Sequence, residues 1–412
     1  MNRDHEILRA LSGQVAEIAA LDIHKEIEKL YRAVNGLKMI RPVVLIDELP
    51  WNQLNGDGEL TLQCEDPFLR NVEQDLRRTL YRWKHCPGDM IVGPDYSIGR
   101  SIHIGDIGVS SPQGEVRSAD EGNNIVSRHI EDQLGTMEAI EKLHVPEITV
   151  DDADSQRRVA QLDAIFGDLM PIRTHGIGNA GFFSPWDDLA WWRGVEAIYI
   201  DLYDDPDLLH ATMRRLLDIK LDTLRRLEEM DLLESNDTTL HCTAGLVDEL
   251  PGEITDGKIT RRNLWGRGTA QAFASVSPAM HDEFEIEYMK EFFDGFGLVY
   301  YGCCEPLHDK IDIVKKIPNL RKISITPWAN VRKSAEQMGP NYVLARKPNP
   351  AAVAVARLDE ESLRKDILET LTICRETCTP CEFTLKDISS VCYNPENLTR
   401  WSQVVLETVK NF

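Results

Sequence analysis

The sequence predicts an α/β fold in which mostly parallel strands close into a (β/α)8 barrel. Short apolar runs that end in polar or breaker residues alternate with helical patterns from residue 42 to the carboxyl terminus. No internal repeat and no linker rich in Ser, Pro or Gly divides this order into two domains. A barrel is favoured over an open sheet because no Gly-x-Gly-x-x-Gly follows the first strand and no Gly-x-x-x-x-Gly-Lys-Ser/Thr occurs.

The first predicted strand, at 42–48, has the continuous apolar character of a strand buried on both faces. The other predicted strands lie at 90–95, 171–176, 238–242, 297–303, 322–325, 342–345 and 382–387. Helical patterns, in which apolar residues return every three or four positions, lie at 206–230, 282–293 and 359–376.

The chain is expected to form one barrel domain with an extension in front of it. Residues 3–35 have apolar residues at helical spacing, which predicts an N-terminal helical extension over 1–40 and a barrel over 41–412. Residues 97–135 are rich in Gly, Asp and Ser and predict a long irregular insertion at the rim. Such loops often cover active sites, so we expect this one to move.

The composition argues against two classes of partner. The net charge is -22, from 68 acidic and 46 basic residues, which opposes binding to nucleic-acid phosphates. No run of about 18 apolar residues occurs and the amino terminus lacks the apolar core of a signal peptide, so we expect a cytoplasmic protein with no membrane partner. Nine irregularly spaced cysteines predict reduced thiols, some of them metal ligands.

The stretch 300–308 carries the strongest chemical signal, because two thiols, a carboxylate and an imidazole follow a short apolar strand. With Pro306 where a helix would begin, these groups lie at the carboxyl end of a strand, where barrel enzymes have their active sites. Adjacent strand residues point to opposite sides, so only one of Cys303 and Cys304 is expected to face the site. With His308, these donor types suit zinc. Alternatively, the cysteines are buried as small apolar groups and His308 lies on the surface.

Weaker candidates stand elsewhere in the chain. His241 and Cys242 end a predicted strand and are either a ligand pair or a hydrogen-bonded core pair. Glu287 lies near a predicted helix start, where the helix dipole favours negative charge, and becomes a candidate through its relation to His308.

Three cysteines near the carboxyl terminus have the spacing of the iron–sulfur motif of radical SAM enzymes. They are Cys374, Cys378 and Cys381. In those enzymes the motif follows the first barrel strand, whereas here Cys374 falls within a late helical pattern. We therefore expect reduced thiols around a helix end.

Aromatic and basic residues near strand ends are candidates for substrate contacts. An apolar pocket for a flat substrate is predicted from the aromatic runs at 182–186 and 191–192 and from Trp51, Tyr96 and Trp328, with Tyr301 as a further candidate for a substrate contact. Arg100 and Arg173 are candidate forks for a substrate carboxylate. The alternative is that the aromatic residues belong to the core.

With these residues in view, the chain resembles the uroporphyrinogen decarboxylase superfamily from about Arg41 to the carboxyl terminus. Tyr301-Gly302-Cys303-Cys304 stands where that family has its His-x-Cys-Gly segment. Other segments that resemble the family are 184–189, 193–196, 201–206, 275–278, 349–350 and 394–398. The resemblance implies a (β/α)8 TIM barrel of the uroporphyrinogen decarboxylase type.

The resemblance also implies a reaction. Decarboxylases of this superfamily hold their substrate with an arginine-containing N-terminal segment, and the matching residues 48–52 contain no arginine. The chain is more similar to the corrinoid-dependent methyltransferases that demethylate aromatic methyl ethers. That branch implies zinc as a Lewis acid and transfer of the methyl group to the cobalt(I) corrinoid, a cobalamin, of a partner protein.

The metal ligands implied by the resemblance are Glu287, Cys303 and His308, with His241 as the next candidate. Glu287 and His308 have about the separation of a Glu and a His ligand in the ether-demethylating branch. Two positions depart from the family, because Tyr301 stands in place of a histidine and Ala272 in place of a first glutamate. The ligand set is therefore expected to be altered.

Two other functions remain open, and a homodimer is a candidate assembly. One is a decarboxylase or lyase of the same fold that acts on a small organic acid through Arg100 or Arg173, without a corrinoid. The other is a barrel without catalytic activity that binds a ligand or a partner.

Overall fold

The computed structural model describes residues 2–110, 115–117, 126–235 and 238–412, and it shows a mixed α/β fold. The predicted rim insertion at 97–135 therefore lies partly outside the described residues. Among the described residues, no helix is long and apolar enough to cross a membrane.

The helices and strands alternate along most of the chain. The α-helices are α1 (Arg3–Ala19), α2 (Ile23–Asn35), α3 (Pro67–His85), α4 (Met137–Glu141), α5 (Asp152–Phe166), α6 (Pro185–Arg193), α7 (Val195–Asp204), α8 (Pro206–Glu229), α9 (Pro278–His281), α10 (Glu287–Phe293), α11 (Ile311–Val314), α12 (Val331–Met338), α13 (Glu360–Glu376) and α14 (Glu396–Asn411). The strands are β1 (Val43–Ile46), β2 (Tyr96–Gly99), β3 (Ile102–Ile104), β4 (Glu115–Arg117), β5 (Val126–Arg128), β6 (Ile148–Val150), β7 (Ile172–His175), β8 (Phe182–Phe183), β9 (Thr239–Leu240), β10 (Thr243–Ala244), β11 (Trp265–Gly268), β12 (Leu298–Tyr301), β13 (Leu320–Ile325), β14 (Val343–Arg346) and β15 (Cys381–Leu385).

Seven parallel strands form the main sheet, in the order β1-β15-β14-β13-β12-β11-β8. The first strand lies beside the last, as it would in a barrel, but no strand pairing among the described residues joins β1 to β8. A closed barrel is therefore not shown. The short antiparallel hairpin of β9 and β10 packs beside β1.

Most predicted strands are confirmed, because buried parallel strands are continuous apolar runs. All four residues of β1 are buried, as are those of β12 and β14. The strand predicted at 171–176 forms as β7 but pairs with β2 outside the main sheet. The predicted strand at 238–242 is shorter than expected, because His241 and Cys242 form the turn between β9 and β10.

The strand predicted at 90–95 is wrong. This segment runs near β1, but the hydrogen bonds around it involve side chains in place of a strand ladder. The Asp89 carboxylate accepts from the backbone N–H of Val44 at 2.8 Å, and the Val92 N–H lies 3.3 Å from the His24 ring. Pro94 lacks an N–H and interrupts any continuation.

The helical patterns at 206–230, 282–293 and 359–376 are confirmed, with one irregularity. The segment Asp282–Ile286, between α9 and α10, is a π-helix. The N-terminal pattern forms α1 and α2, which are joined to the rest of the chain by buried polar contacts. The Asp4 carboxylate accepts from the N–H groups of Glu65 and Asp66, and the Tyr31 hydroxyl donates to the Asp89 carbonyl at 2.7 Å. The domain division at residue 40 stays a prediction.

The main sheet contains a fully buried ion pair between β13 and β15. Lys322 Nζ lies 2.9 Å from Glu382 Oε2, and neither side chain is exposed to solvent. Thr243 of β10 bonds to both groups, and Lys322 also donates to the Ala244 carbonyl at 2.8 Å. Burial lowers the pKa of Lys322 to about 8, although Glu382 acts in the opposite direction. The pair thus joins the hairpin to the sheet.

We predict that Glu382→Ala lowers the free energy of unfolding by roughly 3–5 kcal/mol, because it leaves the Lys322 charge buried and unpaired. The double variant Lys322→Met/Glu382→Leu should recover most of this loss. Urea unfolding followed by circular dichroism measures both effects. The control is Asp22→Ala, which removes an exposed pair with Lys25 and should cause no measurable change. A double variant as unstable as Glu382→Ala would contradict the prediction.

Candidate active site at the carboxyl ends of the parallel strands

A cavity of about 560 Å3 lies where β8, β11 and β12 end and the β9–β10 turn approaches them. This volume is within the range of small-molecule sites. The lining residues include the aromatic pair Phe182 and Trp265, the basic residue Arg267, and two groups from the sequence-predicted site, His241 and Cys303. Polar side chains of Asn179, Thr239, Thr269 and Gln271 complete most of the wall.

Cys303 reaches the cavity through a sharp turn after β12. Gly302 has φ 96°, a left-handed conformation that glycine adopts without strain, and an added Cβ would lie 2.6 Å from Leu307 Cδ1. The Cys303 carbonyl accepts from Ser324 Oγ at 2.9 Å, and its N–H donates to Glu305 Oε2 at 2.9 Å. The backbone on both sides of the thiol is therefore fixed.

The Cys303 sulfur lies beside a buried ammonium group. Lys386 Nζ, just beyond β15, is 3.0 Å from Cys303 Sγ and 3.4 Å from Cys304 Sγ. The pKa of Cys303 is lowered to about 3 by a hydrogen bond from Cys304, by one from His241 and by the charge and hydrogen bond of Lys386, against the effect of burial. Cys303 is therefore a thiolate at neutral pH.

The effect of Lys386 on the pKa of Cys303 does not depend on which acceptor the Cys304 thiol donates to. Cys304 has one proton for two acceptors, Cys303 Sγ at 3.7 Å and Asp387 Oδ2 at 3.2 Å. Whichever acceptor takes it, the Lys386 ammonium remains 3.0 Å from the Cys303 sulfur. The pKa of Cys304 is raised by its bond to Cys303, by burial and by the neighbouring negative charge, so Cys304 stays protonated.

Glu305 is a buried acid behind the thiolate. It accepts from Thr269 Oγ1 at 2.8 Å and from the Ala270 N–H at 3.2 Å. Burial raises its pKa to about 7, and the negative charge of Cys303 acts in the same direction. Glu305 therefore holds the loops after β11 and β12 together and exchanges a proton near neutral pH.

Three potential metal ligands, one of which is His241, lie close together beside the cavity. One ligand atom each from Glu48, His241 and Cys242 lies within 4.8 Å of the others. His241 Nε2 is 3.3 Å from Glu48 Oε1, and Glu48 Oε2 accepts from the Asp387 N–H at 3.0 Å. Carboxylate, imidazole and thiol are the donor types of zinc sites, so this set fits zinc, with the metal replacing the Cys242 proton.

The backbone at this site is strained. Glu48, Cys242 and Asp387 have φ values of 51°, 55° and 55°, which non-glycine residues rarely adopt. All three lie at turns that follow strands on the carboxyl side of the sheet. Such conformations persist where the surrounding structure holds them, and they cluster at functional sites.

The structure brings together two of the four sequence-predicted ligands, Cys303 and His241, which line the same cavity. Glu287 lies on the exposed face of α10, where it accepts from Lys290 at 2.7 Å. His308 is half-buried, with Nε2 3.5 Å from Asp309. Among the described residues, neither joins a group of three ligating side chains. Their role as metal ligands stays a prediction.

Of the predicted substrate residues, Phe182 lines the cavity, whereas Trp51, Tyr96, Trp328 and Arg100 do not. Trp51 packs on Tyr81, and the Tyr96 hydroxyl bonds to Asp75 at 3.2 Å. Trp328 is 70% exposed. Arg100 donates to the Asp231 carbonyl at 3.0 Å and pairs with Asp152 at 3.3 Å.

Tyr301, which stands in place of the family histidine, is also buried away from the cavity. Its hydroxyl donates to Glu285 Oε2 at 2.6 Å and lies 2.9 Å from His281 Nε2. All three side chains are completely buried. The position of the family histidine is therefore part of a buried hydrogen-bond network of Tyr301, Glu285 and His281.

The sequence reasoning missed Arg267 and Lys386 and assigned no role in the site to Glu48 and Asp387. Glu305 was noted as the carboxylate of the stretch 300–308 but was not selected as a site residue. Lys386 and Asp387 were visible only as the polar end of a predicted strand, and Glu48 as the end of the first one. The available signal was position, because the carboxyl ends of neighbouring parallel strands meet at one edge. The thiols of the cysteine motif line a different cavity, with Cys381 at the start of β15 and therefore at the opposite end of the sheet from Lys386.

No protein-family model matches this chain, and no curated protein sequence matches it. Among solved structures, the chain is similar to a methyltransferase from Methanosarcina mazei, with a TM-score of 0.46 and 11% sequence identity. The similarity covers 92% of this chain and 97% of that chain. A likeness this distant does not assign an activity, so we argue function from the site.

We predict that Lys386→Met raises the pKa of Cys303, because it removes the ammonium beside the sulfur. In the metal-free native protein, iodoacetamide labelling of Cys303 should be nearly constant from pH 5 to pH 8. In the variant, labelling should fall as the pH is lowered through this range. Peptide mass spectrometry measures the labelled fraction, and Lys333→Met, which removes an exposed lysine, is the matched control. Identical pH profiles in all three proteins would contradict the prediction.

Proposed function

We propose that this protein is a methyltransferase that takes a methyl group from a small methylated substrate, in the first place an aromatic methyl ether, and delivers it to the cobalt(I) corrinoid of a partner protein. One observation carries the proposal: a cavity of small-molecule size has an ionised thiol and an imidazole on its wall, next to a set of zinc donors. The resemblance to corrinoid-dependent methyltransferases supplies the acceptor. We also propose that the sheet is a barrel of that superfamily, completed by the β9–β10 hairpin between β8 and β1.

The cavity suits a flat, partly apolar molecule. Phe182 and Trp265 provide apolar faces, while Thr269 and Gln271 provide polar groups at the wall. Gln271 is itself held by a 3.1 Å hydrogen bond to Asp187. These contacts would hold the substrate in one orientation and exclude water from the methyl–oxygen bond.

Glu48, His241 and Cys242 would hold the metal. Cys303 lines the same cavity as His241. Zinc bound there would supply a Lewis acid that stabilises negative charge on the departing aryl oxygen. The His241 imidazole lines the cavity and is placed to donate a hydrogen bond to that oxygen. The Cys303 thiolate keeps a negative charge beside Lys386, which raises the pKa of that ammonium group.

Metal analysis and a corrinoid assay test the proposal together. The purified protein, incubated with zinc and desalted, should retain about one zinc ion, and it should methylate cob(I)alamin when guaiacol or another methyl ether is supplied. Elemental analysis measures the metal, and the absorbance change from cob(I)alamin to methylcobalamin measures the transfer.

A matched pair of histidine variants sharpens this test. His241→Ala should lose zinc and methyl transfer, because it removes the imidazole of the donor set. His103→Ala, which changes an exposed histidine on β3, should retain both. A protein that binds no zinc and methylates no corrinoid with any ether would overturn the proposal, and release of carbon dioxide from a small acid would favour a decarboxylase.

A further inference from the structure

The interior of the main sheet contains more basic than acidic side chains. Two of the buried cations have a negative partner: Lys322 pairs with Glu382 at 2.9 Å, and Lys386 lies 3.0 Å from the Cys303 sulfur. Lys347, at the end of β14, is also buried, but its ammonium donates to the Cys242 carbonyl and lies 5.7 Å from the Tyr300 ring centre. It has no carboxylate partner among the described residues.

Arg267 on β11 is the second cation without a negative partner. Its guanidinium lies 4.5 Å from the Phe182 ring centre, and its Nε is buried without a hydrogen-bond partner. Within the described part of the chain, no carboxylate forms an ion pair with it. Arg267 is half-buried in the cavity wall, so its remaining N–H groups can donate to an acceptor that enters the cavity.

The cavity in front of Arg267 has no Asp or Glu among the described residues of its wall, in a chain with 68 acidic residues and a net charge of -22. The one negative group among these wall residues is the Cys303 thiolate, which is paired with the Lys386 ammonium at 3.0 Å. Acidic residues that approach the wall are bonded away from it, since Glu305 accepts from Thr269 and Asp187 from Gln271. The positive potential at this wall is therefore not cancelled locally.

We propose that the cavity binds a planar aromatic carboxylate, with the carboxylate held by Arg267 and the ring between the side chains of Phe182 and Trp265. Stacking on Phe182 fixes the plane of the guanidinium and leaves its N–H edge available for a two-bond fork with a carboxylate. This inference rests on the proposed function and adds the charge of the substrate, which is an aromatic methyl ether that also carries a carboxylate.

Binding can be measured without any methyl transfer. Isothermal titration calorimetry compares 4-methoxybenzoate with 4-methoxybenzamide, which has nearly the same shape but no charge, on the full-length, metal-free protein. The carboxylate should bind roughly tenfold more tightly or better, because charged hydrogen bonds to a half-buried guanidinium are stronger than neutral ones. Equal affinities, or no binding of either compound, would overturn the inference.

Variants of Arg267 test whether this residue is responsible for the tighter binding of the carboxylate. Arg267→Gln should weaken 4-methoxybenzoate roughly tenfold or more and leave 4-methoxybenzamide unchanged, while Arg267→Lys should recover part of the loss because it keeps the charge without the fork. The matched control is Arg225→Gln, which changes a half-exposed arginine of α8 outside the cavity and should have no effect. Unchanged binding of the carboxylate to Arg267→Gln would overturn the assignment. Circular dichroism checks folding, and the two-ligand comparison on the native protein needs no variant.

The results also separate this inference from the proposed function. Methyl transfer from a neutral ether without preference for the carboxylate would overturn only the inference. Selective binding of 4-methoxybenzoate by a protein that transfers no methyl group would support the carboxylate site and overturn the methyltransferase.

Discussion

The site depends on the single buried ammonium group of Lys386. This group lies just beyond β15 and bonds to the sulfur atoms of Cys303 and Cys304, which follow β12, and to Asp387 at 3.0 Å. Asp387 in turn bonds through its N–H to Glu48, which follows β1. One cation therefore connects the ends of three strands, two of which are separated in the sheet by β13 and β14. A neutral side chain at position 386 would leave neither a counter-charge for the thiolate nor a common centre for these loops.

Much of the fold was predictable because its determinants are local. Continuous apolar runs identified β1, β12, β13, β14 and β15, and helical periodicity identified α8 and α13. The exceptions arose where distant residues decide the local structure. Residues 90–95 look like a strand, but the Val92 N–H bonds to the His24 side chain of α2. The preceding Asp89 accepts from the Tyr31 hydroxyl of α2 and, through its carboxylate, from the backbone N–H of Val44 in β1. Whether the sheet closes could not be derived from alternation alone, because closure depends on pairing between residues far apart in the chain.

The candidate site was predictable only in part, for the same reason. Cys303 and His241 stood out because their chemistry is unusual at a strand end. Lys386 did not, because its partner Cys303 is 83 residues away and no spacing rule connects them. The resemblance pointed to Glu287 and His308, but the structure places Glu287 on an exposed helix face and surrounds Tyr301 with a buried network. Arg267 is identified by its lack of a carboxylate partner in the part of the chain that the structure describes, and this becomes apparent only in the folded structure.

The gap between β8 and β1 affects how the cavity can respond to what enters it. On that side the wall consists of the loop before β8 and the β9–β10 turn, whereas the other side is a hydrogen-bonded sheet. Moving the turn outward would leave the ladders of the main sheet intact, but it would break the bonds of Thr243 to the buried Lys322–Glu382 pair and the bond from Lys347 to the Cys242 carbonyl. The wall that carries Arg267 is therefore held by backbone ladders, and the wall that carries His241 is held by buried side chains. The width of the cavity on the imidazole side thus depends on buried cations that no ligand touches, whereas the position of the guanidinium does not.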